Sequence, residues 1–188
     1  MTIKRGTEIP TIDVNLVTIK VEGATDEIAL DTASKIAVTP QVDTQEATKL
    51  VIKGVLKAQK PEQTTITGNE ITLTDNVFTP ELVKAMQGGT ITYDTTDPTK
   101  VIKYQPPTVG SGEKGSIFTL NAYSAIYDTS GTITGYEKIS YPNCHGNPVA
   151  MGSEDNVFRV SEYTIVSAPK KDESPYIIEY VDALPVVS

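Results

Sequence analysis

Gly110-Ser-Gly-Glu-Lys-Gly115 has the glycine spacing of a dinucleotide-binding turn. That chemistry needs a strand before the glycines and a helix N-terminus after them, so that backbone N–H groups face a pyrophosphate. Here Pro106-Pro107 come before, and Ser116-Ile-Phe-Thr-Leu120, a strand-like run, comes after. No Lys-Ser/Thr pair follows Gly115, so the segment is not a phosphate loop either. Cys144-His145 is the pair of soft metal ligands, but two adjacent side chains cannot build a four-coordinate cage. With one histidine in the chain, Ser140 and Ser153 near it make no triad. The acid pairs Asp26-Glu27, Glu154-Asp155 and Asp172-Glu173 fall in turn-like stretches, where neighbouring side chains point apart. Lys170-Lys171 reads the same way, as a solvated turn. No catalytic residue, cofactor or metal is expected, and the chain reads as non-enzymatic.

Composition narrows the classes further. The 188 residues suffice for one large β domain, and we read 1–188 as a single domain with residues 1–10 as a candidate N-terminal arm. No apolar run approaches the roughly 20 residues of a membrane helix. Met1-Thr-Ile-Lys-Arg-Gly-Thr-Glu8 has no apolar core behind its charges, so a secretory signal is not expected. One cysteine excludes an internal disulfide. A formal charge of -8 makes a poor nucleic-acid binder, since that affinity comes from basic groups displacing counterions. The same acidity would serve solubility, or a surface past which nucleic acid slides without sticking. Nine Tyr against three Phe and no Trp suit either strands or surfaces buried between partners.

The elements that would position these residues are mostly strands. Ile12, Val14 and Leu16 alternate with polar neighbours, and Val17, Ile19 and Val21 continue on the opposite phase: one strand with a bulge, or two strands. Thr25–Lys35 is a loop or a short helical turn. Residues 36–42 and 49–59 read as strands with a turn over 45–49. Thr64–Thr74 reads as a hairpin about Gly68-Asn69. Residues 101–104, 116–128, 133–141, 157–168 and 176–184 also read as strands. Between them, Asp94–Pro98, Asp128–Gly131 and Pro169–Pro175 are turns and Pro142–Gly152 a polar loop. One helix interrupts the pattern, over about residues 79–87. Thr79 stands at the cap and Pro80 in the first turn. Phe78 and Val83 occupy staple positions, and Gly88 can take a left-handed stop. Leu82, Val83 and Met86 form its buried face; the opposite face, Glu81, Lys84 and Gln87, meets solvent or a neighbouring subunit. Gln105–Gly115, with two Pro and three Gly, is a long exposed loop. About ten short strands with frequent turns favour a β-sandwich or barrel carrying one short flanking helix and extended arms or loops.

Three stretches carry a family resemblance: Leu50-Val-Ile-Lys-Gly-Val-Leu-Lys-Ala-Gln-Lys60, the run from Gly68 through the helix to Gly89, and Tyr163 to Pro185. In these, and in the order of elements over residues 30–185, the chain resembles the major tail tube proteins of long-tailed bacteriophages and related tail-like particles of Gram-positive bacteria. The resemblance implies a β-sandwich with one flanking helix. It implies six copies closing into a ring, and rings stacking into a tube through which DNA passes without specific binding. It places the protein in a virion tail, assembled in the host bacterial cytoplasm, with a tape-measure protein and other tail proteins as partners and no membrane. It offers no catalytic residues. The 105–115 loop has the length of an assembly element, which makes Gln105, Pro106, Pro107, Gly110, Gly112, Glu113, Lys114 and Gly115 the candidate subunit-interface residues. Deleting Ser111–Lys114 would then impair stacking and leave folding intact. A cell-surface β-sandwich for adhesion or carbohydrate binding is the competing expectation; it would act as a monomer.

Overall fold

The structure is a computed structural model that describes residues 6–187. The candidate arm at residues 1–10 lies partly outside the described residues; Gly6–Pro10 are exposed and in no strand. Twelve strands and one helix follow in the order β1 (Thr11–Val21), β2 (Ile28–Leu30), β3 (Ala33–Gln45), β4 (Thr48–Ile52), β5 (Val55–Lys60), β6 (Gln63–Asp75), α1 (Pro80–Gln87), β7 (Thr90–Tyr93), β8 (Val101–Gln105), β9 (Phe118–Tyr127), β10 (Ile133–Gly146), β11 (Ser161–Ser167) and β12 (Ile177–Val181). The fold is mainly β with one short helix, as expected. Eight strands join in one antiparallel sheet, in the order β2-β1-β9-β10-β11-β6-β3 with β12 also on β10.

β10 turns this sheet into a sandwich. Its first part, Ile133–Tyr141, pairs with β9 on one side, and Tyr136–Ser140 pair with β12. Its last part, Cys144–Gly146, pairs with β11. The register shifts between Tyr141 and Cys144, where a strand that serves two layers has to bend. The core between the layers holds Val17, Ile19, Ile71, Leu73, Phe118, Leu120, Tyr163 and Ile165, all essentially inaccessible. α1 closes one side with Leu82, Val83, Ala85 and Met86 buried in the same cluster.

Local chemistry explains most elements. β1 is one strand with a bulge: its register on β9 shifts between Ile12 and Leu16, and Asp13 there has φ 64°. α1 begins at Pro80, and Gly88 ends it with φ 83° and its N–H on the Lys84 carbonyl. Thr79 holds the cap position by its extended backbone, but its hydroxyl makes no capping bond. Val83 is fully buried, with Phe78 packed half-buried on the same core. The turns at Asp94 and Asp128 are set by their carboxylates. Asp94 accepts from the Thr96 N–H (2.8 Å), and Asp128 accepts from the N–H groups of Ser130 (2.8 Å) and Thr132 (2.9 Å). Hydrogen bonds from the Thr96 and Ser130 hydroxyls, first among the causes, hold both carboxyls below their usual range.

Five expectations change. Gly68-Asn69 is no hairpin: β6 continues through it, with a register shift on β3 between Gln41 and Val42 that leaves Thr67 as an extra residue. A Cβ on Gly68 would stand 2.6 Å from the Ser167 carbonyl oxygen, so glycine is there for the close approach of β11. Residues 49–59 are two strands, β4 and β5, folded about Lys53-Gly54, whose φ angles of 49° and 77° suit a two-residue hairpin. The 25–35 stretch contains β2 and begins β3. Pro142 is not a loop start, because β10 continues to Gly146. Val157–Val160 lie outside any strand and are exposed, except that Arg159 covers the Phe78 ring at 4.2 Å.

Candidate assembly surface

The eight residues singled out between Gln105 and Gly115 divide into three groups. Gln105 ends β8 and Pro106 follows it; together they pass so close to Gly89 that a Cβ there would lie 2.3 Å from the Gln105 carbonyl oxygen. Pro107 is half-buried. Gly110 and Gly112, with φ 83° and 70°, form the tip with open space around both. Val109 beside them is fully exposed. Glu113, Lys114 and Gly115 form a clamp on the end of α1. The Gly89 N–H donates to Glu113 Oε1 (2.9 Å), and the Ser116 N–H donates to the Ala85 carbonyl (2.8 Å). Lys114 lies against Gly88, and a Cβ on Gly115 would meet the Met86 carbonyl oxygen at 2.0 Å. The tip, Thr108–Gly112, stands out from the body; it closes on itself through the Ser111 N–H donating to the Thr108 carbonyl (3.0 Å) and meets the clamp where the Glu113 N–H donates to Ser111 Oγ (3.3 Å). A deletion over Ser111–Lys114 would cut into the clamp and disturb folding, contrary to the expectation that it leaves folding intact.

The outer side of α1 is also engaged within the chain. Tyr93 donates to Glu81 (3.0 Å), Gln87 Nε2 donates to Tyr104 Oη (2.9 Å), and the Val149 N–H donates to Gln87 Oε1 (3.1 Å). The β7–β8 hairpin thus covers Glu81 and Gln87, and Lys84 alone of the three is exposed.

The largest unpartnered feature was not read from the sequence. β3 and β6 stay paired beyond the body to Gln45 and Gln63, and the β4–β5 hairpin continues outward from them. Eleven residue steps lead from Gln41 to Ile52, so the arm reaches up to about 36 Å at roughly 3.3 Å per residue. Every residue from Thr39 to Thr67 is exposed except the half-buried Ala47. Leu50, Val51, Ile52, Val55 and Leu56 each keep about half their surface in contact with solvent. Among the described residues β4 pairs with β5 alone. A two-stranded ribbon is marginal in water by itself. The signal that could have found it is Lys53-Gly54 between two apolar runs.

A second open feature is β12. Among the described residues it pairs only with β10, and Ile177, Ile178 and Tyr180 are exposed. Its segment Ile177–Val181 has neither proline nor lysine to guard the free edge.

The former ligand pair splits across β10. Cys144 is fully buried with its thiol donating to the Tyr141 carbonyl (3.2 Å), whereas His145 is exposed. Burial pushes the Cys144 thiol up to about 12 and the Tyr141 phenol up to about 12. Both groups ionise more readily unfolded than folded. The stability tied to their neutral forms is complete below about pH 9 and is lost as pH rises toward about 12. Melting temperature is expected to hold from pH 7 to 9 and then decline; scanning calorimetry across that range checks it, and a flat profile to pH 11 contradicts it. Among the described residues no group of three or more His, Cys, Asp or Glu could hold a metal, and no helix is long and apolar enough to cross a membrane.

No protein-family model matches the chain, and no curated protein sequence does. Among solved structures it is similar to a chain of the anti-feeding prophage baseplate, at 9% identity and a TM-score of 0.36, over 96% of this chain and 95% of that one. It is similar also to a chain of the sheath–tube complex of an extracellular contractile injection system, at 14% identity and a TM-score of 0.40, over 93% of each chain. Similarity this distant carries no argument about function, which the chain's own surface has to supply.

Proposed function

We propose that this protein is a structural subunit that polymerises with copies of itself into six-membered rings stacked as a tail tube, a conduit for DNA, and that it works in a virion tail or a related particle. The observation that carries the reading is the arm from Thr39 to Thr67. It exposes apolar side chains on both faces, and among the described residues the outer backbone edges of its β4–β5 hairpin have no partner. Such a ribbon becomes stable when a second molecule covers it. Contacts between unlike surfaces of identical chains close into rings or grow as filaments. The family resemblance of residues 30–185 supplies the ring number, the tube and the tape-measure partner. The acidic charge suits a lumen that repels phosphate.

Sedimentation velocity and electron microscopy of the purified chain test this. Rings or tubes are expected as concentration rises. A species that stays monomeric at every concentration and salt would refute the reading and favour the adhesion or carbohydrate-binding alternative.

The loop tip has a separate role in this proposal, contact between stacked rings. Replacing Thr108–Gly112 by two glycines keeps the Glu113–Gly89 and Ser116–Ala85 bonds and gives up the exposed bond from the Glu113 N–H to Ser111, and loop-length changes of this kind alter stability by only about 0.6 kcal/mol per doubling. Rings are therefore expected to form with an unchanged melting temperature but to stack poorly. Normal tubes from this variant would remove the tip from the assembly surface.

A further inference from the structure

The two open features carry opposite charge. Residues 48–60, the β4–β5 hairpin, hold four lysines and no acid. Residues 172–187, which contain β12, hold Asp172, Glu173, Glu179 and Asp182 and no basic residue. Each is a strand with exposed branched aliphatic side chains and a free backbone edge. In the single chain they belong to different sheets.

We propose that the basic hairpin of one copy docks on the acidic β12 edge of the next, as an added strand, and that this pairing is the contact that propagates the polymer. It rests on the polymer reading above and names its partner surface. Three properties match at once. The free edge of β12 offers N–H and C=O groups in the spacing that β4 or β5 can satisfy. Ile52 and Val55 are cross-strand partners and Leu50 stands two residues before Ile52 on β4, which gives one apolar face; in the docked pair it lies beside Ile178 and Tyr180, which share one exposed face of β12. The lysines meet carboxylates, which fixes direction and speeds encounter. Lys138 bonds Glu179 at 2.8 Å within the chain and leaves that carboxylate half exposed. Asp172 and Asp182 are exposed. The contact is between unlike surfaces, so it extends from copy to copy without a two-fold partner.

A charge swap tests it. One variant carries Lys49→Glu and Lys57→Glu in the hairpin; the other carries Asp172→Lys and Asp182→Lys beside β12. Each alone places like charges together, and its association measured by sedimentation is expected to weaken at least about tenfold. An equimolar mixture sets the introduced glutamates of one hairpin against the introduced lysines of the next β12 segment, and the native lysine hairpin against the native acidic segment, in alternating order, and is expected to assemble again. Variants that assemble alone as the unchanged protein does, or a mixture that stays apart, would overturn the proposal. Amide exchange in the unchanged protein gives a reading without substitution: N–H groups on the free side of β12 should be protected in the polymer and open in the monomer. Equal exchange in both also overturns it. If the unchanged protein forms no polymer at all, the reading beneath fails instead, and the two outcomes are distinct.

Discussion

Gly115→Ala is expected to lower the melting temperature by about 6–12 °C, the equivalent of roughly 3 kcal/mol in a chain of this size. The new Cβ would be placed 2.0 Å from the Met86 carbonyl oxygen, 2.4 Å from its carbon and 2.7 Å from the Ala85 carbonyl oxygen. All three are backbone atoms of α1, so no rotamer change relieves the clash. Either the helix end or the loop has to move. If the loop moves, the Ser116 N–H bond to Ala85 and the Glu113 bond to Gly89 go with it. Overpacking in a tight site costs about 1–3 kcal/mol. Each lost hydrogen bond adds about 0.5–1.5 kcal/mol. The control is Gly112→Ala, three residues away. Nothing lies within 4 Å of a Cβ there, and only the left-handed backbone at φ 70° resists it, at about 1–2 kcal/mol. Thermal melts of the two variants side by side decide the matter. If Gly115→Ala melts with the unchanged protein, the clamp is not the contact described and the loop is free along its whole length.

Those two glycines also mark what the sequence made legible. The helix was plain because its signals are local: Pro80 at the start, Gly88 at the end, apolar residues at helical spacing between. The apolar phase flip between Leu16 and Val17 left a bulged strand or two strands open; the structure resolves it as one strand, with its irregularity earlier, between Ile12 and Leu16. Gly68 was misread because its cause is distant. A glycine beside asparagine looks like a turn, yet here it makes room for Ser167, almost a hundred residues on. Val157–Val160 are branched and aromatic enough to read as strand, but among the described residues they pair with no neighbour. In the candidate loop, spacing showed where the chain is flexible and exposed. It could not show that Glu113–Gly115 are spent on α1, because that depends on how the loop returns. The arm was hidden by its own regularity. Eleven strand-like residues hide a turn when the turn is Lys-Gly, and nothing local tells that the whole ribbon stands clear of the core.

Replacing Leu50, Ile52 and Val55 together by threonine is expected to abolish polymerisation at concentrations where the unchanged protein forms rings, with little change in the melting temperature of the single chain. The three side chains lie on one face of the hairpin and keep 53%, 47% and 54% of their surface exposed. Full burial of such side chains is worth about 1.5–3 kcal/mol each. About half of that remains to be gained when a partner covers the face, so the triple change removes roughly 3 kcal/mol per contact. That is about 150-fold in the association constant of one contact. A closed ring multiplies the effect, since every subunit makes the contact. Threonine keeps the strand preference of the branched residues, so the hairpin itself should persist. The single chain should scarcely respond, because the arm adds nothing to the core of Val17, Leu120 and Tyr163. Sedimentation velocity measures the loss of association, and circular dichroism melts check the fold. If the variant polymerises like the parent, the arm is not where the molecules meet; if its melting temperature falls as far as that of Gly115→Ala, the arm belongs to the body of the fold and the case for an uncovered ribbon collapses.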